Sequence, residues 1–537
     1  DYLQTHYPEL YLVSSTTKVL TEFAQLEAET ARPEFRYVVP DFRLNKAFVQ
    51  LDSLPQPQKD KLEFLCNECC WFGCTDRRRC YENVSRRNLG ELCPEHRCTA
   101  PGAAEGYRFS KAMRNPGFIG VEDIRSTYLP MGFSQFKIEG RSLGSALVLE
   151  FLLHYMTRPE YQLNVREEIY LDNSATTQVD DRVIDYITKV MREHYGNPSS
   201  LYDLGLQSHL LMEEAAKSAA ALIGGKGENL YFTSGGTESN NWAVFGTAHA
   251  KRRRGKRMVT TAFEHSSILE PMKRLGEEGF EPVFVKPDEH GIISAEDFLS
   301  QVTPDTILVS FMLVNNEVGT MLPYEEIAEE VRRIAPNATI HCDAVQAYGK
   351  LPLKVEKLPI DLVSMSGHKI HAPKGIGALY VKKGTRIDPI IYGGAQQNGL
   401  RPGTESLPLA CGMGYAAKLR AETIRQDWET VTRLQAYARE KLSAIPGIVL
   451  NSPEHAFPYI LNFSAEGIRS ETMLHHLEQY GIYVSNASAC GKGAASHVLD
   501  AMGLSHRRID SAIRLSFNAQ NTEADIDAFL EKLRLGL

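Results

Sequence analysis

What the chain lacks narrows its reading first. No apolar stretch reaches the roughly 18 residues that a membrane span requires, and the first residues show no signal-peptide pattern. A cytoplasmic protein with no membrane partner is expected. Neither sign of charge dominates: 59 Lys and Arg stand against 67 Asp and Glu, for a net charge of −8 and a pI near 6.1. That balance gives no general electrostatic case for nucleic acid, and the basic run at residues 251–257 reads as a solvated loop or helix end. Cysteine is scarce over most of the length, with only Cys342, Cys411 and Cys490 beyond residue 98. The chain also lacks an initial methionine: Asp1 precedes a strand-like stretch closely, which reads as the trimmed remainder of a longer protein.

At 537 residues the chain has room for about two to four domains. In residues 1–165, short apolar runs at 10–13, 37–39 and 62–65 predict strands, with a helix over 18–29 between the first two. Such βα repetition argues for a parallel α/β layer, part of a barrel. The segment 132–141, which ends in Lys137-Ile138-Glu139-Gly140-Arg141, resembles a strand end of the collagenase-like peptidase family, whose members are TIM barrels. The resemblance implies a partial barrel. An apolar helix-like stretch at 143–155 is broken by Thr157-Arg158-Pro159-Glu160, so a domain boundary is expected near 157–168.

Seven of the ten cysteines fall within the 33 residues from Cys66 to Cys98. Clustering of this kind at the end of a predicted parallel strand suits a metal or redox site better than a disulfide scaffold. The spacing is neither a repeated CxxC pair nor CxxxCxxC, so the metal stays open between an iron–sulfur cluster, which is favoured, and zinc. Cys70, Cys74, Cys80 and Cys98 are the preferred ligands, with Cys66, Cys69 and Cys93 as alternatives; buried or reactive thiols without metal are the competing reading.

In the remainder, Ser366-Gly367-His368-Lys369 closes on a lysine, and a lone Asp343 stands 26 residues before it at the end of an apolar run. A lysine placed to hold a carbonyl as an imine, and a lone Asp placed to keep a ring nitrogen protonated, suit pyridoxal 5′-phosphate. Tyr231 to Asn240 reads as strand, glycine turn and helix start, a geometry that offers Gly236 and the Thr237 hydroxyl to a phosphate. Cys490 lies among small residues and glycines, the composition of a loop that carries a reactive thiol.

From residue 169 on, these motifs resemble, in order, those of the NifS-like cysteine desulfurases, class V members of the fold-type I aminotransferase superfamily. The resemblance implies a large domain (166–409) with a mostly parallel sheet and a small α/β domain (410–537), with residues 166–185 packing against the small domain. It implies that Lys369, Cys490 and His265 are catalytic, His265 stacking on the cofactor ring. It further implies that Gly236, Thr237, Ser366 and His368 hold the cofactor phosphate. Asn316 and Gln346 would contact the ring oxygen, Asp343 the ring nitrogen, and Asn316 with Arg514 the substrate carboxylate. Thr404, in Arg401-Pro402-Gly403-Thr404, would reach the phosphate of a neighbouring subunit, which implies a homodimer.

The chain departs from the family pattern in three places. Tyr202 replaces a histidine, the helix after Cys490 resumes about two residues sooner, and Asn518-Ala519 stand where the family has Gly-Arg. The expected activity is conversion of L-cysteine to L-alanine with a persulfide left on Cys490. The sulfur would pass to an acceptor protein or to the chain's own N-terminal cysteines. A selenocysteine lyase or another class V lyase, and a metal-binding sulfur-relay protein, are the rival readings.

Overall fold

The computed structural model describes residues 11–67, 70, 74, 76–89, 91, 112–113, 115–138, 154–156, 168–486 and 495–537. The chain divides into two compact units, Asp1–Glu167 and Glu168–Leu537.

The first unit holds four short strands: β1 (Leu12–Ser14), β2 (Phe35–Val38), β3 (Glu63–Leu65) and β4 (Gln135–Lys137). β1 pairs with β2 and β3 with β4, both in parallel, and a parallel bridge between Val38 and Leu62 joins the two pairs. The helix after β1 runs Phe23–Ala31, not 18–29 as the sequence suggested. The difference is local: Ser15 caps a 3-10 turn over Thr16–Lys18, and Val19 leaves it in the left-handed region at φ 53°. Phe64 anchors the core, its ring lying 5.0 Å from that of Tyr128 and 5.1 Å from that of Phe133. The segment 139–153, and with it Glu139, Gly140 and Arg141, lies outside the described residues.

The second unit opens with β5 (Ile169–Tyr170) and then builds a sheet from β6 (Leu230–Thr233), β7 (Arg257–Thr261), β8 (Glu281–Val285), β9 (Thr306–Met312), β10 (Thr339–Asp343), β11 (Leu362–Ser366) and β12 (Gly377–Val381). Their order is β6-β12-β11-β10-β9-β7-β8. β12 runs antiparallel to both neighbours and every other pairing is parallel. Every residue of β9, β10, β11 and β12 is buried, as a sheet with both faces covered requires. Because parallel strands return through crossovers, the turns after β6, β7, β9, β10 and β11 all open on one edge.

A helix over Leu407–Ser443, 37 residues long, leads to a smaller part. There β13 (Ile448–Leu450), β14 (Ile460–Ala465), β15 (Ile482–Tyr483), β16 (Ser485–Asn486) and β17 (Ala512–Ser516) follow. β13, β14, β17 and β16 form an antiparallel sheet in that order, while β15 pairs in parallel with β5. The start of the unit is thus stitched to its end, and Asp172 bridges to Ser516.

The sheet edge that gathers the turns depends on one close approach. A Cβ on Gly377 would stand 2.6 Å from Gly235 Cα and 2.7 Å from the Met365 carbonyl oxygen. Gly377→Ala should therefore destabilise this unit by about 1–3 kcal/mol through overpacking, read as a lowered denaturation midpoint; an unchanged midpoint would contradict the packing described.

Candidate active site

A cavity of about 350 Å³ opens at the C-terminal edge of the sheet. Each strand delivers its own contribution. Gly236 and Thr237 come from the turn after β6, His265 from the turn after β7 and Asn316 from the turn after β9. Asp343 ends β10, with Gln346 just beyond, and Ser366 ends β11, with His368 and Lys369 in the 3-10 turn Gly367–Lys369 that follows. Arg514 reaches the same cavity from β17 of the smaller sheet. Residues separated by up to 340 positions, Ser174 to Arg514, therefore share one cavity.

Asp343 is the electrostatic centre. Its Oδ1 accepts the Val345 N–H at 2.9 Å and its Oδ2 accepts Asn240 Nδ2 at 2.7 Å. Burial pushes its carboxyl above the ordinary range, against the pull of those two hydrogen bonds and of His265 and Lys369 nearby. Asn240 Nδ2 also donates to Ser267 Oγ at 2.8 Å, and Ser267 Oγ lies 2.8 Å from His265 Nδ1. His265 caps the helix Ser266–Glu277, its Nδ1 accepting the Ser267 N–H at 3.1 Å. An Nδ1 that accepts a backbone N–H fixes the ring proton on Nε2 in the neutral form. Burial lowers the His265 pKa, which favours the neutral ring.

Lys369 Nζ donates to the Ser174 carbonyl at 2.5 Å and to the Ala175 carbonyl at 2.8 Å, so the turn after β5 parks the amine at the cavity. Gln346 Nε2 donates to the same Ser174 carbonyl at 3.0 Å. His368 Nδ1 lies 3.2 Å from Thr176 Oγ1, and burial together with Lys369 holds its pKa down at about 4, so the imidazole is neutral. Arg514 Nη1 donates to the Asn316 carbonyl at 2.9 Å and Nη2 pairs with Asp172 at 2.6 Å, while its Nε has no acceptor among the described residues. That guanidinium is fixed on one side with donors in hand for a carboxylate.

Cys490 lies outside the described residues, but both ends of its segment are placed. Before it, Ser485 pairs with Arg514 across β16 and β17. After it, Ser496 Oγ donates to the Glu317 carboxylate at 2.5 Å and His497 Nε2 to the Glu264 carbonyl at 2.8 Å. Both anchors therefore rest beside site residues, Glu317 next to Asn316 and Glu264 next to His265.

Thr404 is exposed and does not line the cavity. In the first unit, Cys98 lies outside the described residues, as do Cys69 and Cys93. Cys70, Cys74 and Cys80 are half-buried, and among the described residues no group of three His, Cys, Asp or Glu stands close enough to hold a metal. Cys66 belongs to the core, and burial pushes its thiol up to about 12, which disfavours a thiolate there.

Sequence reasoning did not single out Asn240, Ser267 or Ser174, which also line the cavity. A signal existed for Asn240, which lies four residues after Gly236 in the helix Gly236–Asn241 and so on the same face. Ser174 acts through its backbone carbonyl, which no side-chain pattern reveals.

Seven mostly parallel strands with a lysine and a buried Asp on their C-terminal edge define an α/β enzyme of fold type I. Residues 169–529 match the class V aminotransferase family model, and the chain belongs to that family, in its NifS/IscS group. The cysteine desulfurase IscS of Methanosarcina thermophila is 41% identical over 366 residues, covering 68% of this chain and 90% of the relative. A solved NifS-like protein superposes with a TM-score of 0.65 at 38% identity, over 69% of this chain and 99% of that one. SspA, solved in complex with cysteine, gives 0.58 at 30% identity, over 65% and 99%.

The residues present fit pyridoxal phosphate, the cofactor of this family. Asp343 is a buried carboxylate on the cavity wall whose only hydrogen-bond donors among the described residues are uncharged. Asn240 Oδ1, Gln346 Oε1 and Ser174 Oγ are buried there without partners among the described residues. A cationic ring N–H and polar ring substituents would satisfy these polar groups.

Beneath the site, Glu264 is fully buried. Its Oε1 accepts Thr261 Oγ1 at 2.6 Å and the Met312 N–H at 2.9 Å, and burial raises its pKa to about 8. A carboxyl raised in the folded state binds a proton that the unfolded chain has released between pH about 4.5 and 8, so it costs stability as pH rises through that window. In the cofactor-free protein, Glu264→Gln should gain stability relative to wild type between pH 5 and pH 8, measured by urea denaturation. An equal difference at both pH values would contradict the assignment.

Proposed function

We propose that this chain is a cysteine desulfurase that takes L-cysteine to L-alanine and holds the released sulfur as a persulfide on Cys490. The observation that carries the reading is the joint presence of Lys369, Asp343, His265 and Arg514 on one cavity, a set that binds an amino acid and moves its α-proton. The cofactor would be held by Lys369 through Nζ, by Asp343 at the ring nitrogen, by Asn316 and Gln346 at the ring oxygen, and by Gly236, Thr237, Ser366 and His368 at the phosphate. Pyridoxal phosphate, when bound, supplies a ring that accepts the electron pair freed at the substrate α-carbon.

The chain's own groups do the rest. Arg514, steadied by Asp172 and the Asn316 carbonyl, takes the substrate carboxylate. Lys369, resting on the Ser174 and Ala175 carbonyls, is placed to remove the α-proton. His265, neutral with its proton on Nε2, exchanges a proton at the cavity wall. The Cys490 thiolate then attacks the substrate sulfur: the new S–S bond forms as the C–S bond breaks, the electron pair stays on carbon, and protonation completes alanine. The balance is L-cysteine plus a thiol giving L-alanine plus a persulfide.

A homodimer is part of this reading. Leu206 and Leu210, one turn apart on the helix Asp203–Ala221, are 53% and 54% exposed, and Leu201, Tyr202 and Leu204 add to the same apolar region. A monomer would leave this patch in water; in the proposed dimer Thr404, exposed and off its own cavity, would reach the partner's phosphate. For the first unit, the proposal is a cluster site or sulfur acceptor built on Cys70, Cys74, Cys80 and Cys98, in the cytoplasm. Iron equal to acid-labile sulfide in anaerobically purified protein supports a cluster, zinc alone supports a structural metal, and neither leaves the thiols as acceptors.

Cys490→Ala should keep the cofactor's visible absorbance and lose desulfuration, and Lys369→Ala should lose both. Arg514→Gln should raise KM for cysteine by about 10- to 100-fold, the loss of about 1.5–3 kcal/mol for a charge-assisted carboxylate contact. Full desulfurase activity in Cys490→Ala would sink the mechanism.

A further inference from the structure

The turn after β6 and the loop that carries Thr404 are joined by a set of contacts that the proposed chemistry leaves unused. Glu238 follows Thr237 directly in the helix that starts at the glycine turn. Its carboxylate accepts Arg401 Nε at 2.9 Å on Oε1, and Arg401 Nη2 at 3.2 Å together with the Ser234 N–H at 2.7 Å on Oε2. Both side chains are largely buried, at 22% and 12% exposure for Arg401 and Glu238. Six residues before Glu238, the edge strand β6 is clasped as well: Gln397 Nε2 donates to the Phe232 carbonyl at 2.9 Å and Gln397 Oε1 accepts the Phe232 N–H at 2.6 Å.

Gln397 makes that clasp from an unfavourable backbone. It sits at φ 45° and Asn398 at φ 61°, the left-handed region that residues with a Cβ rarely occupy. Such a conformation persists only where surrounding contacts hold it, and the two Phe232 bonds and the Arg401–Glu238 pair are those contacts. Electrostatics gives the pair a second task. A carboxylate one residue from Thr237 would repel a phosphate at the glycine turn, and the Arg401 guanidinium cancels it.

We infer that Arg401 and Glu238, with Gln397, are positioning residues that tie the phosphate turn of one subunit to the Thr404 loop it presents to the other. The inference rests on the proposed dimer with Thr404 acting across it. An occupied phosphate turn fixes Ser234 to Glu238, Glu238 fixes Arg401, and Arg401 lies three residues before Thr404. Order gained in one site is then order no longer needed for its neighbour. Cofactor loading of the two subunits should be positively cooperative.

The test is equilibrium dialysis of cofactor-free full chain against pyridoxal phosphate, with sedimentation velocity on the same samples. The wild-type dimer should saturate with a Hill coefficient clearly above about 1, the bound for two sites being about 2. Arg401→Gln, which leaves the carboxylate uncompensated, should raise half-saturation about tenfold or more. Glu238→Gln/Arg401→Gln should recover most of that affinity and saturate with a coefficient of about 1 while still sedimenting as a dimer. Gln397→Ala, which keeps the ion pair and drops the clasp, supplies a second variant if Arg401→Gln does not fold. A wild-type dimer that loads without cooperativity, or a double variant as cooperative as wild type, overturns the inference. A wild-type monomer in sedimentation overturns the dimer reading beneath it, and that result is visible before any dialysis.

Discussion

The structure depends on a carboxylate that the fold buries and then leaves facing a cavity. Asp343 closes β10, the middle strand of the sheet, and among the described residues receives only an amide N–H from Val345 and one from Asn240. Burying a charge without an opposite charge in contact is expensive, so this position makes physical sense only as half of a pair. Asn240 supports Asp343 and Ser267 together, and Ser267 fixes the tautomer of His265. The site is therefore a polar network in which each member sets the hydrogen-bond role of the next.

Parallel topology explains why that network has so many contributors. Strands that point the same way release their following turns at the same edge, and five turns distant in sequence meet there. The smaller sheet adds what the large one lacks, a guanidinium on β17 that is clamped by Asp172 from the start of the unit. An amino acid carboxylate bound as proposed would thereby engage residues from both ends of the second unit. The two anchors of the segment that holds Cys490 rest on Glu264 and Glu317, immediate neighbours of His265 and Asn316. The cavity wall and the anchors that follow that segment consequently share backbone.

Much of this was legible in the sequence, because the motifs that build the site are local. The Ser-Gly-His-Lys turn, the Asp at the end of an apolar run and the glycine turn before a helix each announce their chemistry within ten residues, and the cavity collects them. What the sequence withheld was pairwise and long-range. Ser174 contributes a carbonyl to Lys369 from 195 residues away, and the Arg401–Glu238 pair spans 163. No periodicity encodes such pairs. The helix in the first unit began later than its pattern suggested because a capped 3-10 turn and one left-handed residue intervened, a backbone event that propensity does not register.

The account's central claim is that the cavity residues deliver substrate sulfur to Cys490. The most direct measurement is a single turnover with one equivalent of L-cysteine and no acceptor, with alanine quantified and the peptide that bears Cys490 weighed by mass spectrometry. The account predicts one alanine for each added sulfur atom on that peptide, removable by a reducing thiol. Alanine formed in full with no sulfur on Cys490 would contradict it.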